Sequence, residues 1–449
     1  MTEKRHNQNR TAIIYFGPEQ EDYLNLIEAE DRTDFIQFIQ RPLQEQLVSE
    51  IHHDGCSDTS RYTIHGLRER RVQGWIGESQ IIPIARVRCQ CCRAVFTVLP
   101  SFLMRYRRQD TDCLGKLMEM NLGMGLSQRE TATIFAWNQA DHLWRPGWVW
   151  ALIQWLGHLL PVSLLLMRLG LVPPQHLLSD EKFATLAGEE VYLFLISQEE
   201  LIWYAEWLEN TTQASFDSSI AGFLETIDCA AAQVPILESN EAYSPDSVTT
   251  DGWKPVQAAW AEQVPDIKMI ECSLHGRKRV DKTLEEYIKA HPEVSHQERQ
   301  KIKSDFDAIF AAPSLSAFSQ RVRRAEERYG EDEILLKRLE IIKNKRFLFT
   351  NHLKFEDAPA FSSALDRSMR FLDEKLLSFG QFRAAGSINP MLNAWAIVNN
   401  LRSFLPGAKK AGQSLAEYFG AKLKGIPWME ALNLCTVGTL SNLIPEPSS

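Results

Sequence analysis

Cys89 and Cys92 stand two residues apart in the stretch RVRCQCCRAVFTVLP, residues 86 to 100. Two thiolates on one tight turn supply half of a tetrahedral zinc site, since structural zinc takes four nitrogen or sulfur ligands. Upstream, EIHHDGCSDTSRYTIHG repeats the spacing with His53 and Cys56, about 30 residues earlier. His53, Cys56, Cys89 and Cys92 together make a Cys3His set; His52 could stand in for His53, and Cys91 is left over. A second group is acidic. Asp180 in HLLSDEKFATL and Asp251 in DSVTTDG are carboxylates of the kind that hold magnesium, and magnesium stabilises the attacking and leaving oxygens of an in-line phosphoryl displacement.

Each group needs elements to position it. RYTIHGLRERR and SQIIPIARVRC alternate as the two strands of a ribbon hairpin between the knuckles, which predicts a zinc ribbon over residues 51–108. Next, CLGKLMEMNLGMGLSQRETATIFAW reads as an apolar helix, a GMG break and a second helix capped by Ser127, with Glu130 three residues on as a capping box. That is the start of a helix-turn-helix within 109–170, with NQADHLWRPGW as a third element that Pro146 and Gly147 shorten or kink. A plain helical bundle is the alternative, with Trp137, Trp144, Trp148, Trp150 and Trp155 as its core.

From residue 176 the texture is α/β: HLLSDEKFATL, EEVYLFLIS and ELIWYAEWLE as strands, a helix FDSSIAGFLETIDCAAAQ, the strand DSVTTDG, a helix KPVQAAWAEQV, and DIKMIECSLHG. Three strands in series, a crossover helix, then strand, helix and strand is the order of an RNase H-like mixed sheet. In that order the first and fourth strands lie side by side, so Asp180 and Asp251 meet.

Composition limits the partners. The chain has 449 residues, 44% hydrophobic and 24% charged, which suits two or three soluble domains. No run reaches the roughly 20 apolar residues of a membrane span, and MTEKRHNQNR has no apolar signal core, so a cytoplasmic protein without a membrane partner is expected. The net charge of −9 argues against nucleic acid on average, but ten arginines between Arg61 and Arg108 face only Glu69 and Glu78. Such an excess is the footprint that a phosphate backbone selects, or else a solvated face; Arg105, Arg107, Arg108 and Arg129 are the candidate DNA contacts.

LLSDEKF, VTTDGWKPVQAAW and the ribbon followed by a helix-turn-helix resemble the DDE transposases of bacterial insertion sequences, over about residues 50 to 405. ECSLHG adds Cys272 and His275, similar to the Cys/Asp-x-x-His signature of Mutator-like and hAT elements, which carry a helical insertion before the third acid. The charged, helical stretch from about 281 to 345 would be that insertion. Cys272 and His275 could also be read as nucleophile and base, but no oxyanion-stabilising glycine turn or third orienting group is evident nearby; the resemblance makes them a supporting pair under the site.

The resemblance implies an RNase H-like catalytic domain over 176–405, double-stranded DNA as partner (element ends and target), a homo-oligomer on DNA in the nucleoid, catalytic Mg2+ or Mn2+, and structural Zn2+. The family pattern is similar to N-x-x-x-E for its third acid, yet GSINPMLNAWAIVNNLR offers Asn393 there. Asn393 and Glu356 are the two readings for the third ligand, and Asp357, Asp366, Asp373 and Glu374 also lie upstream. The expected function is binding of terminal repeats with metal-dependent strand cleavage and transfer; the alternative is an inactive derivative acting as a DNA-binding regulator. Residues 1–50 carry no readable motif, and the tail 406–449, with Lys409, Lys410, Lys422 and Lys424, either extends the DNA path, contacts a second protomer, or closes on the catalytic sheet.

Overall fold

A computed structural model describes residues 11–47, 61–77, 79–91, 93–138, 144–234, 242–404, 407, 410–423 and 425–444. Its first sheet has the order β1 (Thr11–Ile14), β4 (Val95–Pro100), β3 (Gln80–Cys89), β2 (Tyr62–Val72), with β1 parallel to β4 and the other pairs antiparallel. The β2–β3 hairpin is where the alternating pattern puts it, but it belongs to a larger sheet. Two helices in the stretch unread in the sequence, Gln20–Glu28 and Thr33–Leu47, cover that sheet. Tyr23 and Ile27 in the helix Gln20–Glu28, and Phe35, Ile39 and Leu43 in the helix Thr33–Leu47, recur every fourth residue and are all fully buried.

A helical layer follows. Thr111–Met118 runs into a π turn, Glu119–Gly123, and then into the helices Gln128–Asn138, Pro146–Gly157 and Val162–Arg168. The capping box at Ser127 is present: Glu130 N–H donates to Ser127 Oγ (3.2 Å) and Ser127 N–H to Glu130 Oε2 (2.8 Å). Pro146 does not kink its helix; it occupies the first turn, where a missing N–H costs nothing. Among the described residues no single helix is long and apolar enough to cross a membrane. The bent pair Pro146–Gly157 and Val162–Arg168 is apolar because it is core, with Leu156, Leu165 and Leu166 at 0% exposure.

The second sheet is mixed α/β in character. β5 (His176–Leu186), β6 (Glu189–Gln198) and β7 (Leu201–Leu208) form an antiparallel meander, and β8 (Ser247–Thr250) and β9 (Lys268–Glu271) add parallel to β5, giving the order β7-β6-β5-β8-β9. The helices Gln213–Gln233 and Lys254–Gln263 make the crossovers into β8 and β9. Five helices between Ser273 and Thr350 then build a separate small core from Val280, Leu284, Phe306, Ile309, Phe318, Leu339 and Phe349. The chain returns in the helix Ser363–Phe379, which packs on β5, and in Ile388–Leu401, which packs on β7.

Asparagines explain how Ile388–Leu401 sits against an edge strand. Asn400 accepts from Ile202 N–H (2.9 Å) and donates to Ile202 O (2.7 Å), and Asn389 accepts from Trp207 N–H (2.9 Å). Edge-strand backbone groups covered by a helix need such partners. The C-terminal helix Trp428–Cys435 packs on Thr111–Met118 and β1, so it closes the first sheet and not the second. Lys410 is turned inward, 2.7 Å from Glu200 and over the ring of Tyr418.

Candidate active site

Asp180 and Asp251 come together through strand register. The parallel ladder pairs His176 with Ser247, Leu177 with Val248 and Leu178 with Thr249. Two further steps put Asp180 level with Asp251, on strands that lie about 4.8 Å apart. Asp180 is 8% exposed, and one of its oxygens accepts the Glu181 N–H at 2.9 Å. Asp251 begins the turn after β8, and its Oδ1 accepts the Trp253 N–H at 2.8 Å, an Asx turn that fixes the side chain.

A third acid joins them from a distant element. Asp366 lies in the first turn of Ser363–Phe379, and its negative charge acts on Asp180 along with that of Asp251. Burial, reinforced by those two charges, pushes the Asp180 carboxyl up to about 7. Burial, then Asp251 and Asp180, pushes Glu181 up to about 9. Asp180, Glu181 and Asp251 therefore share one end of the sheet, and the charge of Asp366 acts on Asp180 there.

The donors are all oxygen, which suits a hard divalent cation such as magnesium. A divalent charge would relieve the crowding that raises Asp180 and Glu181. Among the described residues no three His, Cys, Asp or Glu side chains converge closely enough to hold an ion unaided. Magnesium is commonly held by one or two carboxylates, with water and substrate phosphate oxygens completing its shell.

Cys272 and His275 lie beneath this end of the sheet. Cys272 is fully buried at the start of the helix Ser273–Ala290, and its Sγ receives both the N–H and the Oγ of Ser362 at 3.3 Å each. Burial works to raise the thiol, but hydrogen bonding from His275 and Ser362 outweighs it and holds Cys272 below its ordinary value. The same contact, with help from the Asp180 charge, raises His275. His275 Nδ1 is buried without a hydrogen-bond partner among the described residues. Ser362 immediately precedes the helix of Asp366, which ties the pair to the acids.

The two readings for the third ligand fall at different places in the structure. Asn393 is not with the aspartates: its Oδ1 accepts Val162 N–H (2.9 Å) and its Nδ2 donates to Gly157 O (2.9 Å) and Leu160 O (2.6 Å), so its amide is committed to the turn between two helices. Glu356 is exposed on the loop after Asn351–Lys354, and the acidic charges that act on Asp180 are those of Asp251 and Asp366. Asp366 was visible in sequence only as one of several acids, since no spacing marks it. Glu181 was hidden beside Asp180.

Of the zinc candidates, Cys89 is buried at the end of β3, while His53, Cys56 and Cys92 lie outside the described residues. The basic region divides. Arg107 is half-buried with its guanidinium 4.2 Å from the Trp155 ring, and Arg70 donates to Met104 O at 2.7 Å, so these two serve the fold. Arg68, Arg86, Arg105 and Arg108 are exposed, as is Tyr106 under Arg105. On Gln128–Asn138, Arg129, Thr133 and Trp137 recur every fourth residue along an exposed stripe. Trp137 is 78% exposed and Trp148 40%, so the tryptophans are not all core as expected; Trp144 is.

Residues 55–137 match a family described as a domain of unknown function (DUF6431). That stretch runs through the hairpin, β4 and the helix that carries Arg129 and Trp137, and stops before the second sheet. No curated protein matches the chain.

Proposed function

We propose that the chain is a DDE-type transposase, with an RNase H-like catalytic domain built on β5–β9, a helical insertion over about 281–345, and an end-binding region made of the hairpin sheet and the helices after it. The observation that carries the reading is the meeting of Asp180 and Asp251 by strand register, with the charge of Asp366 acting on Asp180. Asp366 stands in the first turn of a late helix, after the insertion, that packs on the strand of Asp180.

In this reading Asp180 and Asp251, with Asp366 and Glu181 close by, would hold Mg2+ or Mn2+ together with water and substrate phosphate oxygens. The bound metal supplies charge stabilisation to the attacking and leaving oxygens of a DNA phosphodiester. The chain orients that chemistry with the Asx turn at Asp251, the Ser362–Cys272–His275 contacts under the sheet, and the packing of Ser363–Phe379 on β5. His275, raised from its ordinary value, favours the ionised form of Asp180. Water attacks in the cleavage step, and a freed 3′-hydroxyl in the transfer step.

The exposed arginines and the Arg129–Thr133–Trp137 stripe are the proposed contacts to double-stranded DNA at the element ends, as part of a helix-turn-helix. A zinc held by His53, Cys56, Cys89 and Cys92 would fold the end of the hairpin into a ribbon. The working protein is a homo-oligomer on nucleoid DNA. The inactive-derivative reading drew on the missing glutamate at 393; with Asp366 beside Asp180, that position is no longer where the third acid is sought. The test is strand nicking on DNA carrying the element's own ends: metal-dependent nicking by the wild type, lost in Asp180→Ala, Asp251→Ala and Asp366→Ala with end binding kept, supports the enzyme. Nicking that survives those three changes defeats it.

A further inference from the structure

Glu271 closes β9 with its carboxylate 1% exposed, one strand over from Asp251. A buried carboxylate costs several kcal/mol unless it is paired and hydrogen-bonded. Two cations from opposite ends of the helical insertion pair it. Arg279, on the first helix, bonds Oε1, and Lys345, after the fourth, lies 2.6 Å from Oε2.

Arg279 also reaches back to the acids. Its Nη1 and Nη2 lie 3.1 and 3.0 Å from the carbonyl oxygen of Asp251. The turn is pressed down onto this group. Gly252 has φ +94°, and a Cβ there would stand 2.5 Å from Glu271 Cδ and 2.9 Å from Arg279 Nη2, so only glycine fits. A planar guanidinium can hold a carboxylate and a carbonyl at once because its donors form a rigid fork, whereas an ammonium is a point charge on a flexible stem.

We propose that Arg279 is a positioning residue that clamps the Asp251 main chain. Glu271 fixes it, and Lys345 fixes Glu271 in turn, so the helical insertion and its first helix set the geometry of a metal ligand through its main chain. The inference rests on reading Asp251 as a metal ligand. It gives the insertion a task at the active site, in addition to any it has on DNA.

The experiment is Mn2+ binding to the full-length protein, followed by the paramagnetic resonance of free Mn2+ and by melting temperature with and without the ion. Wild type is compared with Asp251→Ala, Arg279→Lys, Arg279→Gln and Val280→Ala; Val280 is a buried core residue on the same helix and serves as the control for general loosening. Partners that orient metal ligands typically contribute about 10- to 100-fold in affinity. Arg279→Gln should therefore bind Mn2+ weaker by that factor and Arg279→Lys by less, while Val280→Ala loses melting temperature but keeps the affinity. If Arg279→Gln does not fold, Arg279→Lys carries the comparison. Equal affinity in wild type and the Arg279 variants overturns the clamp, as does an equal loss in Val280→Ala. No binding by wild type, or undiminished binding by Asp251→Ala, overturns instead the metal-site reading beneath it.

Discussion

Lys182 of β5 and Asp373 of the helix Ser363–Phe379 form an ion pair of 2.7 Å. Lys182 lies two residues beyond Asp180 and so shares its face of the sheet, and Asp373 lies two helical turns beyond Asp366. The pair therefore marks the helix as lying along the strand, with both acids at the same end. Asp366→Asn should lower metal-dependent nicking at least about a hundredfold, the usual cost of removing one group that stabilises transition-state charge. Lys182→Met, at a partly exposed pair, should cost stability only about 0–1 kcal/mol. Nicking rates and urea midpoints check both; full activity in Asp366→Asn would return the third ligand to an open question.

Asp180 and Glu181 make stability depend on pH. Their carboxyls, ordinarily at 3.8 and 4.5, stand at about 7 and about 9 in the folded chain. Folding thus favours their protonated forms. The resulting stability is fully present below about pH 4 and is lost as pH rises, through about 7 for Asp180 and about 9 for Glu181. Without metal, unfolding free energy should fall by about 1.4 kcal/mol per pH unit for each group within its window. Mg2+ should oppose the fall, because it binds the ionised form. Urea melts from pH 5 to 9, with and without Mg2+, test this; Asp180→Asn should flatten the metal-free slope, and an unchanged slope would contradict the assignment.

Asn393→Glu restores the family pattern in sequence but should not raise nicking. The three bonds of Asn393 to Gly157, Leu160 and Val162 would be lost, and each buried group left without a partner costs about 1–3 kcal/mol. The expected result is a less stable protein with unimproved nicking per folded molecule. A gain in nicking would put residue 393 at the metal after all.

Arg129→Ala should reduce the salt slope of DNA binding by about one, the signature of one phosphate contact, and Trp137→Ala should weaken binding with little change in melting temperature because the ring is exposed. Gel shifts over a range of salt, with thermal melts beside them, measure both. Unaltered DNA affinity in the double variant would remove this helix from the DNA.

Much of the second sheet was legible because each strand and helix has its own local periodicity, and HLLSDEKFATL carries its aspartate mid-strand while DSVTTDG carries its own just past the strand end. The third acid was not. Its place depends on how Ser363–Phe379 packs across β5 after five intervening helices, and no local spacing encodes that. The pattern around Asn393 misled for a physical reason: Asn389, Asn393 and Asn400 are a set of amides that satisfy backbone at an edge strand and a turn. β1 was missed because TAII is four residues long and pairs in parallel with a strand more than eighty residues away. Trp137 went the other way: aromatic content suggested core, but its helix turns that face outward.

The helix Ser363–Phe379 also carries Lys375, fully buried, whose ammonium donates to Leu126 O (3.0 Å) in the turn before the Ser127 cap; burial holds it down at about 8. One rod thus has a proposed active-site acid in its first turn and, near its other end, a cation seated under the proposed DNA-reading helix. One apolar core likewise joins residues of both sheets and the helical layer, from Ala12 to Ile267 and from Leu365 to Leu443. Recognition and chemistry are therefore not exchangeable cassettes. A chimera spliced near residue 170 to borrow another protein's end specificity would strand the Lys375 charge in an apolar hole, unless the donor also brought a carbonyl to the place of Leu126. New specificity is more readily gained by changing single exposed side chains, such as Arg129, Thr133 and Trp137, than by trading whole segments.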